Sequence, residues 1–337
     1  MKMSRLFIAL ALGLFLLTNC GKPTDPESVN NAGSTGGYEV VSRFATPGYA
    51  QDVICNDTVC YLSQGEGGLV IVGVGDRANP NVLSLIFKDV RGYSNKIVLY
   101  DSLVYISAGS MGLTSIYIND PYNPLLTAKN VGLKPARDFH LYGDYLFASI
   151  SEQGVQVATL EYALEPEPRA VTKTSGYARG LTTTADSTYL LVATGEMGLW
   201  MYNISDFQDG YAQFPLAGWS DTPGYAEDVA IGDDGKHAFL ACGTSGLQIV
   251  NFADSANMHV VGGYDGSGYA KEIMIEDNLV YMTAEQGGLQ IFDVSDVTNP
   301  IMVGSVNTQY ALGVDKDEDF IYIADEKEGL IIVSVPK

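Results

Sequence analysis

The residues of this chain best suited to chemistry are its carboxylates. Asp and Glu number 40 against 19 Lys and Arg in 337 residues, a formal net charge of -21. Carboxylates facing each other across a pocket can act as acid and base on a glycosidic bond. Alternating along a loop they bind calcium, and as local hydrogen-bond acceptors they hold turns. One set, Asp52, Asp138, Asp228 and Glu272, recurs at one position of a repeated Gly-Tyr-Ala-x-Asp motif. It is expected to accept backbone N–H bonds in turns rather than to bind metal. A second set precedes a repeated Gly-Leu pair and comprises Glu66, Glu152, Glu196, Glu285, Asp325, Glu326 and Glu328, with Met111 and Met197 in the same segments. Were the protein a hydrolase or lyase acting on carbohydrate or a lactone, Glu152, Glu196 or Glu285 would supply the acid and the base.

Other catalytic chemistries have little support. His140, His237 and His259 are isolated, with no second His at metal-ligand spacing. The chain has neither a Gly-x-Ser-x-Gly elbow nor a Cys with a His partner, so nucleophilic catalysis lacks its parts. Asp315-Lys316-Asp317-Glu318-Asp319 alternates carboxylates like half a calcium loop, but Phe320 occupies the sixth position, where that loop needs Gly. A solvated hairpin turn is the expectation, and no cofactor is expected beyond calcium as an option for so acidic a surface. The charge also excludes nucleic acid as a partner, because phosphate binding needs concentrated Lys and Arg.

The elements that must position these residues come from an internal repeat. Seven times between Gly48 and Val333 the chain runs through a Gly-Tyr-Ala opening, an apolar strand, a turn, then Gly-Leu and another apolar strand. The Gly-Leu pairs start at Gly68, Gly112, Gly154 (followed by Val155), Gly198, Gly246, Gly288 and Gly329, spaced by 41 to 48 residues. Such a period implies one supersecondary unit per repeat. Short runs rich in Val, Ile and Tyr, bounded by Gly, Asp and Asn, read as strands, and four strands with their turns use about 40 residues. The last copy stops after its third strand, and Glu39 to Phe44 stands where the missing outer strand belongs. An all-β, seven-bladed β-propeller of four-stranded antiparallel blades follows, its last blade closed by the N-terminal strand.

In such a blade the loop before the innermost strand and the loop between the second and third strands share one end. That end is the candidate binding face. It gathers Gln51, Asn95, Arg137, Arg179, Glu227, Lys271 and Leu312 with Glu66, Glu152, Glu196, Glu285 and Glu326. The tyrosines at 49, 93, 177, 225, 269 and 310 recur in nearly every copy. They are expected to pack between blades rather than to form an aromatic ligand ring.

The motifs Gly48-Tyr49-Ala50-Gln51-Asp52-Val53 and Gly224-Tyr225-Ala226-Glu227-Asp228-Val229, and the run Gly288-Leu289-Gln290-Ile291-Phe292-Asp293-Val294-Ser295-Asp296, resemble the LVIVD repeats of bacterial exported β-propellers. The resemblance covers Gly48 to Val333 and implies a propeller and a surface location but little chemistry. Blade three departs with Pro135 and Val155, and blade two with Lys96 at the Asp position.

Residues 1–19 read as a signal peptide, with Lys2 and Arg5 before the apolar run Leu6 to Leu17. Its loss takes two positive charges and no negative ones, moving the net charge from -21 to -23. Leu17-Thr18-Asn19-Cys20-Gly21 resembles a lipobox, which implies lipidation of Cys20; simple secretion is the alternative, since Asn19 is larger than the usual residue. Gly21 rather than Asp after the Cys points to the outer membrane or cell surface. Residues 20–37, poor in apolar side chains, read as a flexible tether, and 38–337 as the propeller. Cys55 and Cys60 stand opposite each other if Asp57-Thr58 is a two-residue turn. They are either a disulfide or two small buried side chains, and Cys242 is expected to pack in a strand. The expected function is a lipid-anchored envelope module that binds or scaffolds a protein partner or an extracellular polymer, with the hydrolase or lyase as the alternative.

Overall fold

The computed structural model describes residues 36–337 apart from 88, 89, 91, 92, 110, 111, 131 and 208–212. The expectations for the signal peptide, for Cys20 and the tether up to residue 35, and for Met111 therefore fall outside the described residues.

Seven four-stranded antiparallel sheets follow one another along the chain. In blade 1 the strands are β2 (Asp52–Asn56), β3 (Val59–Ser63), β4 (Leu69–Gly73) and β5 (Asn81–Ile86), hydrogen-bonded in sequence order from the axis outwards. The other inner strands are β6 (Ser94–Tyr100), β10 (Asp138–Tyr142), β14 (Leu181–Thr183), β18 (Asp228–Ile231), β22 (Ile273–Glu276) and β26 (Ala311–Lys316). Each packs beside the inner strands of both neighbouring blades, and β26 packs on β2, so the ring closes. Closure is completed where β1 (Glu39–Phe44) pairs antiparallel with β28 (Gly329–Ser334), the third strand of blade 7.

The strand patterns follow from this arrangement. A central blade strand is covered on both faces by neighbouring blades, so it reads as a continuous apolar run rather than an alternation. Leu69, Val70, Ile71 and Val72 are all fully buried. The cores accordingly lie between blades: one joins Val70 and Val72 of blade 1 to Ala324, Leu330 and Ile332 of blade 7. Outer strands such as β5 are half exposed, and β5 carries a bulge that skips Leu83 between the pairs Ile71–Ser84 and Val72–Val82.

The Gly of each Gly-Leu pair has a positive φ, +72° at Gly68. A Cβ there would come within 2.2 Å of the Ile86 carbonyl oxygen, so only Gly fits. Ala50, Ala178, Ala226, Ala270 and Ala311 are buried to within 1% because the Gly-Tyr-Ala segment threads between blades. Four of these alanines, and Ser94 in blade 2, bridge to the turn of the preceding blade, as in Gly195 with Ala226.

Cys55 and Cys60 pair directly across β2 and β3, with their sulfurs 2.00 Å apart. Without reductant, the unfolded mature protein is expected to leave one of its three propeller cysteines open to alkylation, Cys242, as read by intact mass. Replacing both partners by Ser should cost about 2 kcal/mol, the loop-closure entropy of so short a loop. Cys242 is fully buried, with its Sγ 3.7 Å from Thr222 Oγ1, and burial pushes the thiol up to about 12.

Candidate functional site

At or near the start of its inner strand each blade brings one residue to a common level: Asp52, Lys96, Asp138, Gly180, Asp228, Glu272 and Gly313. Seven side chains would not fit. A Cβ on Gly180 would lie 2.0 Å from Asp228 Oδ1, and one on Gly313 would lie 2.8 Å from Asp52 Cα. Lys96 is the one cation of the set, with Nζ 2.7 Å from Glu272 Oε1, 3.4 Å from Asp52 Oδ2 and 3.8 Å from Asp138 Oδ1. These ionisable side chains line both the cavity above and the cavity below, and so form the floor between them.

The aspartates were expected to hold turns; they hold neighbouring blades together instead. Asp52 accepts from its own following amide, Val53 N, at 3.0 Å and from Ile97 N of blade 2 at 3.0 Å. Asp138 does the same with Phe139 N and Leu181 N, and Asp228 with Val229 N and Ile273 N, all within 2.9 Å. Between blades 7 and 1 the strap sits lower, where Asp315 accepts from Cys55 N at 2.6 Å. Glu272 bonds to Lys96 rather than to the backbone. Asp138→Ala is expected to destabilise by about 3 kcal/mol in urea unfolding, because Leu181 N–H is left buried without an acceptor. Asp138→Asn should recover only part of that loss, since its carbonyl oxygen can accept from Leu181 N–H while its NH2 then faces Phe139 N–H.

Burial raises the pKa of all four carboxyls, and Asp228 reaches about 7 as Asp138 adds its charge. Burial works against the charge of Lys96, but Asp52, Glu272 and Asp138 outweigh it and hold the ammonium well above its ordinary range.

Above this floor the channel opens into a cavity of about 350 Å³. Nine residues of the candidate face line it, Gln51, Asn95, Arg137, Arg179, Glu227, Lys271, Leu312, Glu285 and Glu326, with Tyr93 and Tyr310. Glu66, Glu152 and Glu196 are exposed on the corresponding turns but are not part of the lining. The rim cations are not free. Arg179 Nε donates to Glu227 Oε2 at 2.6 Å and its Nη2 to the same oxygen, while Lys271 Nζ lies 3.3 Å from Oε1. Tyr269 donates its hydroxyl to Oε1 at 3.0 Å, and Arg137 Nε donates to Ser151 Oγ at 3.1 Å. Glu227, expected as surface, is 8% exposed and organises this side of the mouth.

The repeated tyrosines pack against the neighbouring blade, as expected. A Cβ on Gly65, Gly195 or Gly243 would touch the ring of Tyr93, Tyr225 or Tyr269, so each ring lies on the turn of the preceding blade. Tyr49, Tyr177 and Tyr93 remain 59%, 52% and 41% exposed, while Tyr225 and Tyr269 are half-buried. Burial and the Glu285 carboxylate push Tyr310 up to about 12.

Of the three carboxylates named for a hydrolase, only Glu285 lines the cavity. Asp315 and Lys316 end β26, and Asp317 to Asp319 make the hairpin turn to β27 (Phe320–Asp325), where Asp317 Oδ1 accepts from Asp319 N and Phe320 N. Among the described residues no three His, Cys, Asp or Glu side chains are arranged to hold a metal ion. His140 is half-buried, with Nε2 2.9 Å from Thr183 Oγ1, and desolvation lowers it to about 4.

The LVIVD repeat model matches residues 47–87, 223–266, 267–308 and 310–335, which are blades 1, 5, 6 and 7. Blades 2 and 3, where the motif drifts at Lys96, Pro135 and Val155, lie outside those stretches, as does blade 4. No curated protein matches the chain. Among solved structures, the WD40 β-propeller domain of Doa1 superposes with a TM-score of 0.66 at 11% identity, over 89% of this chain and 98% of that one. The computationally designed Ika8 protein superposes with a TM-score of 0.62 at 8% identity, over 89% of this chain and all of the other. Likeness at that identity concerns the fold alone.

Proposed function

This chain is a seven-bladed β-propeller carrying LVIVD repeats, and from that premise we propose that it is a binding or scaffolding module of the cell envelope. In this reading Cys20 carries a lipid, the residues after it are a tether, and the channel mouth captures a protein partner or an extracellular polymer. One observation supports it above the others. The mouth is a recess above the Lys96 ion-pair cluster, walled by positions where the blades differ: Gln51, Asn95, Arg137, Arg179, Glu227, Lys271 and Leu312. A scaffold that needs the same residue in every blade keeps it, so variation around one recess is where recognition belongs. The rigid ring also presents that recess preorganised, which limits the entropy lost on binding.

The test is capture from detergent-solubilised envelope by the mature protein, followed by mass spectrometry. Removing Arg179 and Lys271 alone would leave the buried Glu227 carboxylate without its cations and would destabilise the ring. The informative variant is therefore Arg137→Ala/Arg179→Gln/Lys271→Gln/Glu227→Gln, checked for an unchanged melting temperature. Loss of one dominant co-purifying species is expected, and its undiminished recovery would sink the proposal.

A further inference from the structure

Three tyrosines of the Gly-Tyr-Ala motif already hold a cation of the chain itself. The Arg179 guanidinium lies 5.6 Å from the centre of the Tyr225 ring, and the ammonium of Lys271 lies 5.6 Å from that of Tyr269. The Lys327 ammonium lies 5.2 Å from the Tyr310 ring. At the first two, Glu227 supplies the counter-charge. Each is an aromatic face with a carboxylate beside it, an arrangement that attracts ammonium and guanidinium groups.

Among the described residues, blades 1 and 2 present the ring without the cation, and at Tyr93 carboxylates lie nearby. Tyr49 and Tyr93 are among the most exposed of these rings, and Glu326 and Glu66 are close enough to Tyr93 to add to burial in raising its hydroxyl. By equivalence with Arg179 and Tyr225, the cation over Tyr93 would come from position 51 and that over Tyr49 from position 312. Those positions are Gln51 and Leu312, which carry no charge. Among the described residues no cation lies over either ring; Arg91, two residues before Tyr93, falls outside them. The recess as a whole is lined by seven carboxylates and four cations, and all four cations are already engaged within the chain.

We infer that the part of the recess lined by Tyr93, Glu285 and Glu326, with Glu66 on the adjoining turn, takes an ammonium or guanidinium group from outside, over the Tyr93 ring. Two sources share that chemistry, a Lys or Arg side chain on a basic protein segment and a free polyamine. The inference rests on the reading of the mouth as a binding site and names the ligand chemistry of that site.

Calorimetric titration of the mature protein with hexaarginine, hexalysine and spermidine, at physiological ionic strength, tests it. Tyr93→Leu keeps a packed side chain over Gly65 while removing the π face, and Glu285→Gln/Glu326→Gln removes charge with little change in shape. Each is expected to weaken binding about tenfold. Glu161→Gln/Glu318→Gln, which makes the same charge change at exposed sites elsewhere, should leave binding as it is. Hexapeptides binding more tightly than spermidine assign the site to a protein segment, whereas spermidine matching them assigns it to polyamines. Equal weakening by the mouth and control doubles would overturn the inference, as would binding unaffected by either mouth variant. If envelope capture depends on the fourfold rim variant but survives excess hexalysine, the cation inference fails while the binding reading stands.

Discussion

Lys96→Met is expected to cost about 3–5 kcal/mol of stability at pH 8, because it leaves buried carboxylates without their one cation. Asp52, Asp138, Asp228 and Glu272 all lie at the channel floor, and the lysine side chain is itself only 18% exposed. The loss should depend on pH, with a sign fixed by the raised carboxyls. A carboxyl whose pKa rises on folding binds its proton more tightly in the folded state. Its contribution is therefore fully present below the unfolded value, near 4, and is lost as pH rises through the folded value, about 7 for Asp228. Without Lys96 those carboxyls rise further, so the deficit should be large at pH 8 and small at pH 4. His140, lowered to about 4 by burial, acts with the opposite sign, but it is common to both proteins and cancels in their difference. Glu272→Gln in the Lys96→Met background should restore part of the loss by removing one of the surplus charges. Urea unfolding of the proteins at both pH values measures this, and a deficit independent of pH would contradict the assignment.

Removing β1 should have a comparable or larger effect. Five residue pairs join β1 to β28, and Val41 and Phe44 pack against the core shared by blades 7 and 1. Arg43 reaches Glu328 at 2.8 Å and the Asn307 carbonyl at 2.9 Å, and Ser42 donates to the Arg77 carbonyl at 2.7 Å. Without this strand, β28 becomes an unpaired edge carrying Ile331, Ile332 and Val333, a template for aggregation. Lost ladder bonds at about 1 kcal/mol each, together with exposed apolar surface, amount to at least about 5 kcal/mol. A chain beginning at Thr46 should therefore melt well below one beginning at Gly36 and aggregate on concentration. Equal melting temperatures would mean that the ring does not depend on this closure.

Much of the fold was legible because every blade needs the same things. The recurring Gly-Leu pair is required by a backbone that approaches the outer strand too closely for any Cβ. The doubly covered strands read as continuous apolar runs, and Glu39 to Phe44 fell at the offset of a missing outer strand. Opposition of Cys55 and Cys60 followed from the two-residue turn between them. The site was less legible, for a physical reason. Lys96 bonds to Glu272, 176 residues away, and nothing local in either segment shows that a seven-fold ring brings them together on the axis. Lys96 read as a departure of blade two from its motif, yet the departure was the signal: one Lys in a ring of equivalent carboxylate positions is their counter-ion. Arg179 and Lys271 likewise read only as members of the binding face, because the burial of Glu227 beside them depends on how neighbouring blades meet.

Hydrogen exchange on the mature protein, free and saturated with the species it captures from the envelope, tests most directly where this propeller binds. New protection is predicted in the segments around Tyr49 to Gln51, Tyr93 to Asn95, Tyr177 to Arg179, Tyr225 to Glu227, Tyr269 to Lys271 and Tyr310 to Leu312, which surround the mouth. Protection confined to the outer strands, such as β5 and β25 (Ile301–Val306), with the mouth segments exchanging as in the free protein, would contradict the account.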